Sequence, residues 1–237
     1  MNLLLRLMRR ALKELDLGLK GELTVTQSME SLGSELFLGK VPSSWNKLAY
    51  PSTKALTFWF GELLDRIKFI EAWCADFQLP STVWLGGLFN PQSFLTAIMQ
   101  QTARKNEWPL DKMCLQCEVT KKFGKEDFAT APREGSYCIG IFMEGARWDV
   151  QTALIQDSKL KDLLPLMPVL FIKAIPVDKE DTRGTYACPV FKTKERGRAN
   201  EQVAVGCCPG FVWSLNLKTK VNPNTWILAG VSMILSD

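Results

Sequence analysis

The stretch Met113-Cys114-Leu115-Gln116-Cys117-Glu118-Val119-Thr120 shows which fold class this sequence takes. Met113, Leu115, Cys117 and Val119 alternate with Cys114, Gln116, Glu118 and Thr120. A period of two sends successive side chains to opposite faces, so the segment reads as a strand. The pattern recurs downstream. Tyr137, Ile139, Ile141 and Met143 alternate with Ser136, Cys138, Gly140 and Phe142. Phe211, Trp213, Leu215 and Leu217 alternate with Val212, Ser214, Asn216 and Lys218. Residues 169–175, 186–192 and 226–235 bring the count to about six strands. Glycines, prolines and charge clusters such as Asp178-Lys179-Glu180-Asp181 separate them.

Upstream the period becomes helical. Leu4, Met8, Ala11, Leu15 and Leu19 form one stripe, with Arg6, Arg9, Lys13 and Asp16 opposite. Glu14 and Asp16 interrupt the basic face, which favours docking on protein over a membrane surface. Thr26 is placed to cap a short helix that ends near Gly39 and Pro42. A longer helix follows Pro51, with Ser52 as its N-cap. Its inward face is read as Leu56, Trp59, Phe60, Leu63, Ile67, Ile70, Cys74 and Phe77. Asn90-Pro91 then supplies a capping side chain and a proline at the first helical position. Helices followed by strands predict an α+β protein. Residues 1–109 form the helical part, and residues 110–237 a partly closed antiparallel β-barrel, because closure hides strand edges.

Composition removes several functions. The 237 residues include no histidine, which excludes Ser-His-Asp and Cys-His catalysis and every imidazole zinc site. The net charge of +4 comes from 29 basic and 25 acidic residues, too even for a nucleic-acid face. The uncharged run 77–103 contains Pro80, Gly86, Gly87, Asn90 and Pro91, so no apolar helix crosses a membrane there. Seven irregularly spaced cysteines fit a reducing compartment. Cys114-x-x-Cys117 lacks a matching second pair, since Cys207 and Cys208 are adjacent. No metal site is expected. Gly33 to Val41 imitates a phosphate-binding loop. However, five residues separate its glycines, Val41 stands where a hydroxyl must hold magnesium, and the stretch ends a helix where such a loop opens one. No catalytic residue and no cofactor are expected.

The densest mixed motif is Glu144-Gly145-Ala146-Arg147-Trp148-Asp149. Its acids and base admit catalysis. A structural reading has Arg147 forking a carboxylate and Trp148 anchoring a turn, so that the two hold the halves together.

Further segments carry a resemblance. VPSSW (41–45), WLGGLFNPQSFLTAIMQQTAR (84–104), GIFMEGARWD (140–149), MPVLFIKAIP (167–176), YACPVFKT (186–193) and WILAGVSMIL (226–235) resemble, in order, the C-terminal region of dynein heavy chains. The wording ARKNEWPLDKM and CPVFKT is nearest to axonemal, outer-arm-type chains. The resemblance implies a non-catalytic structural and regulatory domain that packs on the AAA+ motor ring in cis. It further implies intermediate and light intermediate chains as partners through the full complex. The expected location is cytoplasm, cytoskeleton and cilium axoneme, with no nucleic acid and no membrane as partner. Trp84, Asn90, Pro91, Glu144, Arg147 and Trp148 are its structural motif residues here. The ATPase modules and microtubule-binding stalk of the family lie upstream of the matching region, so the sequence reads as a fragment. GRANEQVAVGCCP (197–209) departs from the family and is expected to be an exposed excursion between strands. Two other classes stay open: an autonomous small enzyme or ligand-binding barrel using carboxylates or thiols, and a free adaptor for dynein subunits.

Overall fold

The computed structural model describes residues 1–195 and 210–235. The expected excursion 197–209 therefore lies outside the described residues. The protein divides into two compact units, Met1–Ile70 and Glu71–Asp237.

The first unit is helical. Helix α1 (Asn2–Leu19) buries Leu4, Met8 and Gly18, and packs on α2 and α3. Helix α2 (Gln27–Phe37) starts at Thr26, whose hydroxyl accepts the Met29 amide at 3.4 Å. It ends with the Gly39 amide donating to the Leu36 carbonyl and the Lys40 amide to the Glu35 carbonyl. That paired closure is a Schellman motif and makes Gly39 a helix stop. The short α3 (Ser43–Asn46) delivers Trp45 to the core. Helix α4 (Leu56–Asp76) begins later than Ser52. That hydroxyl instead accepts the Lys54 amide in the turn before the helix.

The inward face of α4 differs from the expected one. Trp59, Leu63 and Arg66 are buried, while Phe60, Cys74 and Phe77 are exposed. A buried guanidinium is costly unless its environment compensates. Arg66 lies 3.7 Å over the Tyr50 ring and 3.9 Å from the Glu62 carboxylate one turn back. Tyr50 and Trp45 stack on Trp59 at centroid distances of 5.9 and 6.3 Å, and the Tyr50 hydroxyl donates to the Trp59 carbonyl at 2.6 Å. Cation–π and ion-pair contacts offset the desolvation of Arg66, so an arginine occupies a position that a hydrophobic stripe does not mark.

The second unit holds the strands. In sequence order they are β1 (Val83–Trp84), β2 (Met113–Val119), β3 (Ser136–Ile139), β4 (Phe142–Glu144), β5 (Ala146–Asp149), β6 (Leu154–Asp157), β7 (Leu170–Pro176), β8 (Thr185–Phe191), β9 (Phe211–Lys218) and β10 (Ser232–Ile234). Helix α5 (Pro91–Asn106) packs Leu95, Ile98 and Ala103 toward β2, β7 and β9. A short α6 (Pro223–Leu228) precedes β10. The core runs through Cys138, Met143, Leu170, Ile172, Cys188, Val190 and Met233, all wholly buried.

The fold is α+β as expected, but the strands do not close into one antiparallel barrel. Among the described residues, ten strands form one sheet in the order β1-β3-β7-β2, a second in the order β4-β10-β8-β9, and a hairpin β5-β6. The pairs β1/β3 and β8/β10 are parallel. The main cause sits at Gly140. The alternating run 136–143 breaks there into β3 and β4, which join different sheets. Gly140 has φ +76, and a Cβ on it would stand 2.6 Å from Cδ1 of Trp84. Only glycine tolerates both conditions. The second correction concerns 226–235, read as one strand. Asn222 accepts the Asn224 amide at 3.0 Å and Pro223 takes the first position of α6, so Trp226 is helical and only Ser232–Ile234 is strand. The short strand is still central, because β10 bonds to β4 on one side and β8 on the other.

Candidate functional site

The six expected motif residues fall into two places. Trp84 ends β1, and its indole packs closely on two glycines: a Cβ on Gly87 would stand 2.5 Å from its Cε3, and one on Gly140 2.6 Å from its Cδ1. The sequence Trp84-Leu85-Gly86-Gly87 therefore needs its glycine pair for close packing. Asn90 accepts the Ser93 amide at 3.4 Å and caps α5, and Pro91 is its first residue.

The other three lie around the β5–β6 hairpin. Glu144 ends β4, and its Oε2 accepts the Ser232 hydroxyl of β10 at 3.3 Å. Arg147 opposes Gln156 in the ladder and donates from Nη2 to Gln156 Oε1 at 2.6 Å. The Gln156 amide then donates from Nε2 to Asp149 Oδ2 at 3.1 Å. Thr152 donates to the same oxygen at 2.6 Å, and the Gln151 amide to Oδ1 at 3.3 Å. The Thr152 hydroxyl, more than any other partner, holds the Asp149 carboxyl below the usual carboxylate range. The expected fork thus runs through a neutral relay. A glutamine amide, with one acceptor and one donor end, stands between guanidinium and carboxylate.

Trp148 is half-buried against the strand core. It lines a cleft of about 370 Å³ with Leu115, Cys117, Glu118, Glu180, Asp181 and Lys218 among the other wall residues. Glu118 pairs with Lys173 at 2.8 Å, Asp181 with Arg183 at 3.2 Å, and Glu180 accepts from Asn216 at 2.7 Å. Sequence reading missed Glu180, Asp181, Asn216 and Lys218 as neighbours of Trp148. The acidic cluster 178–181 was visible, but its position beside β2 and β9 depends on long-range pairing.

The cysteines on β2 beside this cleft are disfavoured as thiolates. Burial, aided by Glu180, pushes the Cys114 thiol up to about 11, and burial raises Cys117 further. Thiols so disfavoured as thiolates are poor nucleophiles at neutral pH. Cys114 and Cys117, three apart on one strand, point to opposite faces. Among the described residues no cluster of three or more cysteine or carboxylate side chains is arranged to hold a metal ion. No helix among the described residues is long and apolar enough to cross a membrane. The stretch 33–41 closes α2 and does not open a helix, unlike a phosphate-binding loop.

A helical unit, two partly parallel sheets and a capped α5 define an α+β protein. Residues 1–235 match the C-terminal domain of the dynein heavy chain, and the protein belongs to that family. Among its relatives is the ciliary dynein beta chain of Tripneustes gratilla, 63% identical over 235 residues. Dynein axonemal heavy chain 9 of Homo sapiens is 59% identical, and the flagellar outer-arm dynein beta chain of Chlamydomonas reinhardtii 46%. Each alignment covers 99% of this protein and 5% of the relative. The sequence thus spans about one-twentieth of the length of the curated relatives it matches.

Proposed function

We propose that this protein is the non-catalytic structural and regulatory domain of an axonemal dynein heavy chain, packing on the AAA+ motor ring in cis. One observation carries the reading: the family match extends through residues 1–235, and relatives named for cilia, axonemes and flagella align along it. On this reading the domain serves microtubule-based ciliary movement in the axoneme, and meets intermediate and light intermediate chains through the whole complex. The ring-facing surface belongs to the helical part, residues 1–109. Phe37 and Phe58, 92% and 71% exposed on α2 and α4, support that assignment, because large apolar groups left in water mark interaction surfaces. Trp84, Asn90, Pro91, Glu144, Arg147 and Trp148 act structurally, keeping α5 and the hairpin in register with the sheets.

The test is nucleotide titration of the purified protein. Calorimetry with magnesium-ATP should give no saturable heat, and phosphate release should equal the buffer blank. Saturable micromolar binding or turnover would overturn the non-catalytic reading.

A further inference from the structure

One face of α1 is left uncovered by the helical unit. Leu4 and Met8 turn inward, where the helix packs on α2 and α3. Leu5, Leu12 and Leu19 follow one another at seven-residue steps, and such a step returns to nearly the same side of a helix. Leu5 is half-buried, Leu12 is 43% exposed and Leu19 is 79% exposed. A leucine row thus runs along the helix with apolar surface left in water.

A basic row lies beside it. Arg6 and Lys13 are also seven apart, with Arg9 between them, and all three are exposed. Arg9 stands four positions after Leu5 and three before Leu12, so it neighbours both on the helix surface. Among the described residues no ion pair engages Arg6, Arg9 or Lys13. The acids of the helix are already engaged by other cations, Glu14 by Arg10 at 2.7 Å and Asp16 by Lys20 at 2.7 Å.

The two rows together select the guest. A membrane surface needs a wide apolar face to enter, and the inward face of α1 is taken by α2 and α3. A second copy of α1 would set like charges against Arg6, Arg9 and Lys13. An extended acidic strand repeats every two residues and does not follow a seven-residue period. An acidic amphipathic helix meets both rows, with its leucines over one and its glutamates over the other.

We propose that this face of α1 binds a helix of a separate partner polypeptide, with leucines at seven-residue spacing and glutamates alongside them. Its leucines cover Leu12 and Leu19, and its glutamates neutralise Arg6, Arg9 and Lys13. One helix face is a small interface, below about 1,200 Å² in total, so the complex is weak and readily exchanged. The surface does not depend on the ring-docking reading, which rests on Phe37 and Phe58 of other helices.

The probe is a blocked alanine-based peptide of 18 residues, the length of α1, with leucine at every seventh position and glutamate one and four positions after each leucine. Two controls go with it: the twin with lysine for glutamate, and the glutamate peptide with alanine for leucine. Fluorescence anisotropy with the whole protein should give saturable binding of the leucine–glutamate peptide, with either control at least about tenfold weaker. The double variant Arg9→Glu/Lys13→Glu, both exposed positions, should weaken it about tenfold. Asp16→Lys should tighten it several-fold, a gain that no folding defect produces, and added salt should weaken it. Equal binding of either control, no saturable binding, or weakening by Asp16→Lys would each overturn the proposal. So would the other two occupants: sedimentation with phosphatidylserine vesicles, or concentration-dependent dimerisation in analytical ultracentrifugation, either of them abolished by Leu12→Glu/Leu19→Glu.

Discussion

Replacing Gly140 by alanine tests why the strand run 136–143 divides between two sheets. Three terms set the magnitude. A non-glycine residue at φ +76 costs about 1–2 kcal/mol, because its Cβ crowds the carbonyl. The Cβ would also stand 2.6 Å from Cδ1 and 2.8 Å from Nε1 of Trp84, inside van der Waals contact. The indole also packs closely on Gly87, so overpacking adds about 1–3 kcal/mol. Lower unfolded-state entropy returns about 0.4–1 kcal/mol. The net is a destabilisation of about 2–4 kcal/mol. For a unit of this size that is a fall in Tm of about 4–16 °C. The assay is urea unfolding followed by tryptophan fluorescence and by hydrogen exchange of β3 and β4, which isolates the second unit. A cycle with Trp84→Ala separates the terms: in that background the overlap disappears and only the strain less the entropy return, about 0–1.5 kcal/mol, should remain. If Gly140→Ala unfolds within about 0.5 kcal/mol of the parent, neither the strain nor the overlap operates, since ordinary surface substitutions fall in that range.

Four further outcomes are expected. Trp148→Ala should cost about 2–3 kcal/mol, less than a fully buried tryptophan, and Arg147→Ala about 1.5–3 kcal/mol through the charged hydrogen bond to Gln156, both read from denaturant midpoints. Asp149 has a folded pKa below its unfolded value, so its contribution is fully present above the ordinary carboxylate pKa and is lost as pH falls through the lower folded one; Asp149→Asn should remove that part of the acid dependence in pH-resolved melts. Cys74 is exposed, whereas burial raises the Cys138 thiol to about 12; peptide mapping after alkylation at mildly alkaline pH should find Cys74 modified early and Cys138 only after unfolding.

Local signals in the sequence were legible wherever local chemistry sets the structure. Thr26, Gly39 and Asn90-Pro91 act within one helical turn, so the boundaries of α2 and the start of α5 followed directly. The strands β2, β7, β8 and β9 followed from alternation within a residue or so at each end. Asn222-Pro223 repeats the Asn90-Pro91 signal and could have separated α6 from β10, but the apolar run 226–235 masked it. Arg66 was illegible because a charge on an inward face depends on Tyr50, sixteen positions earlier, for its compensation. The sheet division was illegible for the same reason: Gly140 reads as one glycine in a strand until Trp84 is brought against it. The Arg147–Gln156–Asp149 relay required the hairpin register, which places Gln156 opposite Arg147. A sequence motif gives the ends of such a relay but not its middle.

Docking of the helical part on the ring can be read by hydroxyl-radical footprinting of side chains, on this protein alone and within an intact heavy chain that includes its AAA+ ring. Phe37, Phe58 and Phe60, exposed in the isolated protein, should be oxidised several-fold more slowly in the heavy chain, while buried Trp59 stays slow in both. Equal oxidation of all three phenylalanines in the two settings would mean that the helical part does not face the ring.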